Sequence, residues 1–257
     1  MLYDPTLRRQ LPMMTKENLQ DVRRSYTIAF SVRSGSNELC HLLSLNGLGA
    51  PSEHFQDLAR EQTVADLDAS REIFSIISTH TANAVFGSKM SHNHRARVDG
   101  VLRRTIGGYR NLNDLLPDHR WVWLIRRDKI AQAVSLCRAE TSGVFATVNQ
   151  STSPSPPPSF DYYHVLSRVM MLCANDLAWQ TYFDEHEIKP YTILYEDFFS
   201  DLGSSLPALV DYLGGVREHG ALTLATGFAV QRDNVSAEWT SRFRHYLNQN
   251  WQSERGR

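Results

Sequence analysis

Tyr26-Thr27-Ile28-Ala29-Phe30-Ser31-Val32 runs straight into Arg33-Ser34-Gly35-Ser36-Asn37, and this junction decides the fold. The first seven residues are apolar and rich in β-branched types, the pattern of a buried strand. Leu39, Leu42, Leu43 and Leu45 then recur at helical spacing, and Asn46-Gly47 supplies a helix stop. The turn between strand and helix holds N–H groups without intrahelical partners, at the positive end of the helix dipole. Such a turn can cradle an anion. Gly35 lets the backbone curl, Ser34 and Ser36 add hydroxyls, and Arg33 adds a charged fork. A plain helix cap by Ser34 or Ser36 beside a solvated arginine fits the same residues.

Outward from the junction, strand and helix patterns alternate. Residues 83–90, Trp121–Ile125 and Tyr191–Tyr195 read as strands. Lys129–Glu140 reads as a helix, apolar at Ile130, Ala133, Val134 and Cys137. A longer helix is expected from about Phe160 to Glu187, ended by Pro190. Its apolar stripe is Leu166, Val169, Met170, Cys173 and Leu177, which predicts that this face is the buried one. A further helix is expected near Leu206–Leu213. Ser151–Ser159 contains four prolines and reads as a loop inside the domain. The expectation is an α/β fold, with a central parallel sheet flanked by helices on both faces. Residues 1–24 read as a polar arm, 25–247 as one domain and 248–257 as a frayed polar tail.

Composition narrows the function. In 257 residues, 42% are hydrophobic and 21% charged, which excludes disorder. Lys+Arg is 27 against Asp+Glu 28, so no global basic field exists to hold a nucleic acid. No apolar run reaches the roughly 18–20 residues of a membrane span, and the first residues lack a secretory signal pattern. Cys40, Cys137 and Cys173 are scattered and form no disulfide framework. That pattern fits a reducing, cytoplasmic setting.

The anion sites carry the chemistry. The kinase pattern GxxxxGK[ST] is absent, with one glycine in the turn and no Lys-Ser/Thr pair after it. The strand Trp121–Ile125 ends in Arg126-Arg127, where a magnesium nucleotide site would place a carboxylate. Ser135 follows nine residues after Arg126 and eight after Arg127. The chain thus offers two anion sites at the carboxyl ends of two strands, the usual ligand position in open α/β sheets. Two separate phosphates without a magnesium carboxylate suit 3′-phosphoadenylyl sulfate (PAPS) better than ATP.

On these residues the sequence resembles the PAPS-dependent sulfotransferases. Arg33-Ser-Gly-Ser36 resembles their 5′-phosphosulfate loop, and Arg126 to Ser135 their 3′-phosphate motif. Tyr195-Glu-Asp-Phe198 resembles the strand end near the adenine. The closer likeness is to the bacterial trehalose 2-sulfotransferase-like family. Gly49-Ala-Pro-Ser-Glu-His-Phe55, Gly87-Ser-Lys-Met90, Gln231-Arg232, Glu238-Trp239 and Arg242-Phe-Arg244 extend it in the right order. The resemblance covers roughly residues 25–245. It implies a P-loop-NTPase-like sulfotransferase fold, PAPS as co-substrate and a hydroxyl acceptor, often on a carbohydrate. It also implies a homodimer. Asn37, Ala50 and His54 depart from the family pattern. The last two lie on the acceptor side.

The resemblance also assigns roles. Glu53 matches the family's general base. A free carboxylate near pKa 4.3 is poorly matched to that task, so burial would have to raise it. His54 competes for the role. Arg33 would meet the bridging oxygen and the 5′-phosphate, with Ser34, Gly35, Ser36 and Asn37 around it. Arg126 or Arg127 would clamp the 3′-phosphate with Ser135, the other arginine being structural and paired with Asp128. Tyr195 would lie near the adenine, and Lys89 would serve donor or acceptor. Gln231, Arg232 and Trp239 would close the site. Nothing in sulfuryl transfer requires a metal, and His92-Asn93-His94 reads as a solvated loop pair. A kinase with an unusual loop and a non-catalytic nucleotide-binding module stay open as alternatives.

Overall fold

The computed structural model describes residues 19–60, 66–105, 109–143, 159–215, 221–225 and 234–255. Residues 1–18, most of the proline-rich stretch, Gln231 and Arg232 lie outside the described residues.

The strand expected at the junction is β1 (Arg24–Phe30), and the helix after it is α1 (Ser36–Leu45). Two helices follow, α2 (Gln56–Arg60) and α3 (Asp66–Thr79). A two-residue β2 (Thr81–Ala82) then turns into β3 (Val85–Met90). Asn83 and Ala84 both have positive φ and make that turn, so the strand is shorter than its sequence pattern. Next come α4 (His92–Thr105), α5 (Leu112–Leu115) and β4 (His119–Ile125). Helix α6 (Lys129–Ser142) is capped by Asp128, which accepts from the Ala131 N–H at 3.0 Å. Helix α7 (Tyr162–Glu185) is capped the same way by Asp161. The chain ends with β5 (Tyr191–Leu194), α8 (Tyr195–Ser200), α9 (Leu202–Tyr212) and α10 (Asn234–Arg255). Helix α10 thus continues past residue 247.

The sheet order is β2-β3-β1-β4-β5. Every pairing is parallel except the β2–β3 pair. β1 lies in the middle, with β3 on one side and β4 on the other. Consecutive pairings therefore diverge at β1, which opens a crevice at the carboxyl ends of the strands.

Strand alternation sorts side chains to two faces. Ala29, Phe86, Met90 and Trp121 join one core with residues of α3, α4 and α7. Tyr26, Ile28, Val122, Leu124 and Ile193 join the other, against α1 and α9. A third cluster lies outside the sheet, where α6, α7 and α10 meet. Trp239 is buried there and packs edge-on against Phe160, so it serves packing in that cluster. Leu19 and Val22 are buried in the first core, so the described end of the polar arm packs on the domain.

Helix α7 corrects one expectation. Its buried residues are Val165, Leu172, Trp179, Tyr182 and Phe183. Met170, Cys173 and Leu177, from the stripe expected to be buried, are exposed. Aromatic bulk won the inner position: Trp179 packs tilted, and Tyr182 and Phe183 edge-on, against Trp121 on the sheet.

Candidate active site

The junction after β1 makes the cradle. Arg33 has φ of 63° and Gly35 φ of 90°, so the turn passes twice through the left-handed region. A non-glycine residue held there is strained and persists only when its surroundings enforce it. Gln132, fully buried on α6, does so by donating to the Val32 carbonyl at 2.8 Å. Lys129 donates to Gln132 at 3.1 Å and pairs with Asp176, which accepts from Ser31 at 2.7 Å. A chain of polar contacts thus ties both flanks of the turn to α6 and α7. At Gly35 a Cβ would run into the Tyr195 ring, so the glycine is required twice over.

Arg33 turns its side chain toward α6. Its Nε donates to Ser135 Oγ at 3.0 Å, and Arg126 donates to the Arg33 carbonyl at 3.2 Å. The two guanidiniums and the Ser135 hydroxyl therefore gather in one place. Burial, and then the neighbouring Arg126 charge, hold the Arg33 guanidinium below its ordinary value. Two like charges held together in this way favour an anion between them. Arg126 also lies over the Tyr195 ring, 5.5 Å from its centroid.

Arg127 points elsewhere. It pairs with Asp197 on the surface, while Asp128 caps α6 and pairs with Arg244 at 2.8 Å. The expected pairing with Asp128 is thus replaced by one with Asp197. Glu196 fixes this divergence by accepting from the N–H groups of Arg127 and Asp128 at 3.0 and 3.1 Å. Burial works to raise the Glu196 carboxyl, but those two N–H groups, its own N–H and the Arg126 charge together hold the group below its ordinary value.

Ser34 is buried, and its Oγ has no hydrogen-bond partner. An orphaned hydroxyl in a native turn calls for a partner from outside the chain. Ser36 and Asn37 begin α1, and Lys89 of β3 reaches both: its Nζ donates to Ser36 Oγ at 3.4 Å and to Asn37 Oδ1. The expected amide contact of Asn37 is therefore made first with a lysine. Lys89 is buried, with its ammonium 4.9 Å from the Phe30 ring centroid.

Lys89 links the cradle to Glu53, whose Oε1 lies 3.0 Å from its Nζ. Glu53 arrives there because residues 50–53 run beside β3. Ser52 bridges Ser88, and the Lys89 N–H donates to the Ser52 carbonyl at 2.9 Å. The burial expected for Glu53 is only partial, with its side chain 29% exposed. His94 Nδ1 stands 4.0 Å from the other carboxylate oxygen. His92 and His94 are not a loop pair. They open α4, and His92 packs edge-on against Trp179 beside Arg95. His94, set aside in the sequence, thus lies beside Glu53, and the Val98-Val101-Leu102 spacing was the signal for its helix.

His54 faces away from this group. It stacks on His80 with centroids 3.9 Å apart, and its Nε2 lies 3.0 Å from the Ala50 carbonyl. Burial, and then His80, hold the His54 imidazole below its ordinary value. Elsewhere, Cys137, Glu140 and His164 bring potential metal-ligand atoms within 4.8 Å of one another. Glu140 is already shared there by His164 and Arg168, each at 3.0 Å, and the arginine charge opposes a cation. No helix among the described residues is long and apolar enough to cross a membrane.

A family model described as Stf0 sulphotransferase matches residues 25–246. Twelve solved chains are similar to this one. Among them is the "Sulfotransferase Domain from the Synechococcus PCC 7002 Olefin Synthase", at 14% identity and a TM-score of 0.41. That match covers 86% of this chain and 94% of the other. No curated protein matches.

Proposed function

Because the chain belongs to the Stf0 sulphotransferase family, we propose that it moves a sulfuryl group from PAPS to a hydroxyl of a carbohydrate or glycolipid acceptor, with Glu53 as general base. The observation that carries this reading is the convergence of Arg33, Arg126 and Ser135 beside the Ser34–Asn37 turn. One anion fits the turn, where N–H groups and the orphaned Ser34 hydroxyl face a helix start. A second fits the paired arginines. A donor carrying a 5′-phosphosulfate and a 3′-phosphate meets both needs. Arg33 serves the second site with its guanidinium and the first with its backbone. Tyr195, under Arg126, provides an aromatic face near the adenine.

Glu53 would take the acceptor's hydroxyl proton as that oxygen attacks sulfur. The bond from sulfur to the 5′-phosphate oxygen breaks, and adenosine 3′,5′-bisphosphate leaves. Lys89 touches Ser36, Asn37 and Glu53 at once, so its charge would lie beside the sulfonyl oxygens during transfer. His94 would orient the far oxygen of Glu53.

Calorimetry with adenosine 3′,5′-bisphosphate and with AMP tests the donor assignment. The bisphosphate is expected to bind and to raise the melting temperature, and AMP to do so far less. Equal binding of the two would remove Arg33, Arg126 and Ser135 from the 3′-phosphate role. Hydrolysis of ATP in the presence of magnesium would favour the kinase alternative.

A further inference from the structure

The backbone leaving β1 is gripped by its carbonyls. Buried Trp179 of α7 donates to the Phe30 carbonyl at 3.3 Å, Gln132 of α6 to that of Val32 at 2.8 Å, and Arg126 to that of Arg33 at 3.2 Å. A trans peptide points its N–H opposite its C=O, so these grips set the direction of the N–H groups in the turn. The Gln132 amide can present either its nitrogen or its oxygen to Val32, and the oxygen would repel the carbonyl. Lys129 decides between them. An ammonium only donates, so its 3.1 Å contact claims the Gln132 oxygen and leaves the amide nitrogen for Val32. Asp176 of α7 pairs with Lys129 and, with its other oxygen, accepts from Ser31 at 2.7 Å. Ser31, Asp176, Lys129, Gln132 and Val32 thus close a ring on two adjacent backbone residues.

We propose that Asp176 is a positioning residue for donor binding: through Lys129 it fixes the Gln132 amide on the Val32 carbonyl, and so keeps Arg33 in its left-handed conformation. This rests on the PAPS reading above. Arg33, at φ 63°, is strained, and release of the Val32 carbonyl lets it leave that region. Its guanidinium would then be drawn off Ser135, because backbone and side chain turn together about Cα. One residue serves two anions only while its backbone is held. With the ring broken, a donor must restore the turn itself, and its apparent affinity falls with the fraction of molecules whose turn is formed. The sign of this effect is diagnostic. By charge alone, removing a carboxylate near an anion site strengthens anion binding. Removing a carboxylate that positions the site weakens it.

Calorimetry with adenosine 3′,5′-bisphosphate on the wild type, Asp176→Asn, Gln132→Met and the double variant is the test. Asp176→Asn is expected to weaken binding about tenfold, as a turn formed in about a tenth of the molecules requires. Gln132→Met is expected to weaken it at least as much. The double variant is expected to bind like Gln132→Met, because Asp176 acts through that amide. In a second arm, amide hydrogen exchange over residues 31–37 is expected to rise in both single variants and to return to the wild-type level when the bisphosphate saturates them. Asp176 is partly exposed, and Asp176→Asn decides by itself if Gln132→Met does not fold. Variants that melt earlier yet bind as the wild type does, tighter binding by Asp176→Asn, or losses that add in the double variant would overturn the proposal. A wild type that binds the bisphosphate no better than AMP would remove the PAPS reading instead, and the exchange over 31–37 would then decide whether Asp176 holds the turn.

Discussion

The two halves of the candidate site are built in different ways. The half proposed for the donor is cationic and local: Arg33 to Asn37 come from one turn, and Arg126 and Ser135 from the next strand and helix across the sheet. The half proposed for the acceptor is the Glu53–Lys89 ion pair with His94 beside it, assembled from three separate stretches: the segment beside β3, β3 itself and the start of α4. Lys89 belongs to both. A donor site can be written as a motif because backbone N–H groups and a helix start do most of the holding. A site for an acid–base group cannot, since a carboxylate must be aimed from outside at a reacting atom.

Glu53→Gln tests that division most severely. The amide keeps the shape of the side chain but cannot take a proton. Turnover is expected to fall by roughly 10²–10⁴, the usual worth of a general base. Affinity for adenosine 3′,5′-bisphosphate is expected to stay close to the wild-type value, because the turn and the arginines are untouched. A loss in turnover without a loss in binding marks an interaction used in the transition state. An equal loss in donor affinity would mean that the Glu53–Lys89 pair organises the cradle, and the two halves would then be one.

On the donor half, Arg126→Met and Arg127→Met form the sharper pair. Arg126 touches the Arg33 carbonyl and lies over Tyr195, whereas Arg127 is spent on Asp197. Removing a charged hydrogen bond to phosphate costs about 1.5–3 kcal/mol, or roughly ten- to a hundredfold in bisphosphate affinity. That loss is expected for Arg126→Met, measured by calorimetry, and little change for Arg127→Met. The reverse order would move the 3′-phosphate to the Asp197 side of β4.

What the sequence made legible follows the same line. The turn, α1 and the strand cores were readable because each rests on neighbours in the chain. Arg126 and Arg127 were not separable, because the decision lies with Glu196, far along the sequence, which grips the Arg127 and Asp128 N–H groups. Glu53 could be named only by likeness, since its position depends on the Ser52–Ser88 bridge. His94 was missed because a polar helix start reads as a loop. The stripe on α7 was only partly assigned to the right side: Leu166 and Val169 pack on the third cluster, but Met170, Cys173 and Leu177 face outward, because periodicity reports a face and not what covers it, and Trp179, Tyr182 and Phe183 filled the inner one.

His54→Ala is the smallest expected effect and bears on the boundary of the acceptor half. His54 adjoins Glu53 in sequence but stacks on His80 and faces the Ala50 carbonyl. Turnover is therefore expected to change by no more than about threefold, under about 1 kcal/mol on the barrier. The effect should appear in stability. Burial holds the folded imidazole below its ordinary value, so the unfolded chain binds more protons as the solution is acidified. The contribution of His54 is full above the unfolded value near 6.5 and is lost as the pH falls through the lower folded value. Urea midpoints measured from pH 7.5 downward are thus expected to fall less steeply below pH 6.5 in His54→Ala than in the wild type. The acid limb of the rate profile is expected to coincide in the two proteins. An acid limb that vanishes with His54, together with a collapse of turnover, would make the imidazole the base and leave Glu53 as the partner of Lys89 alone.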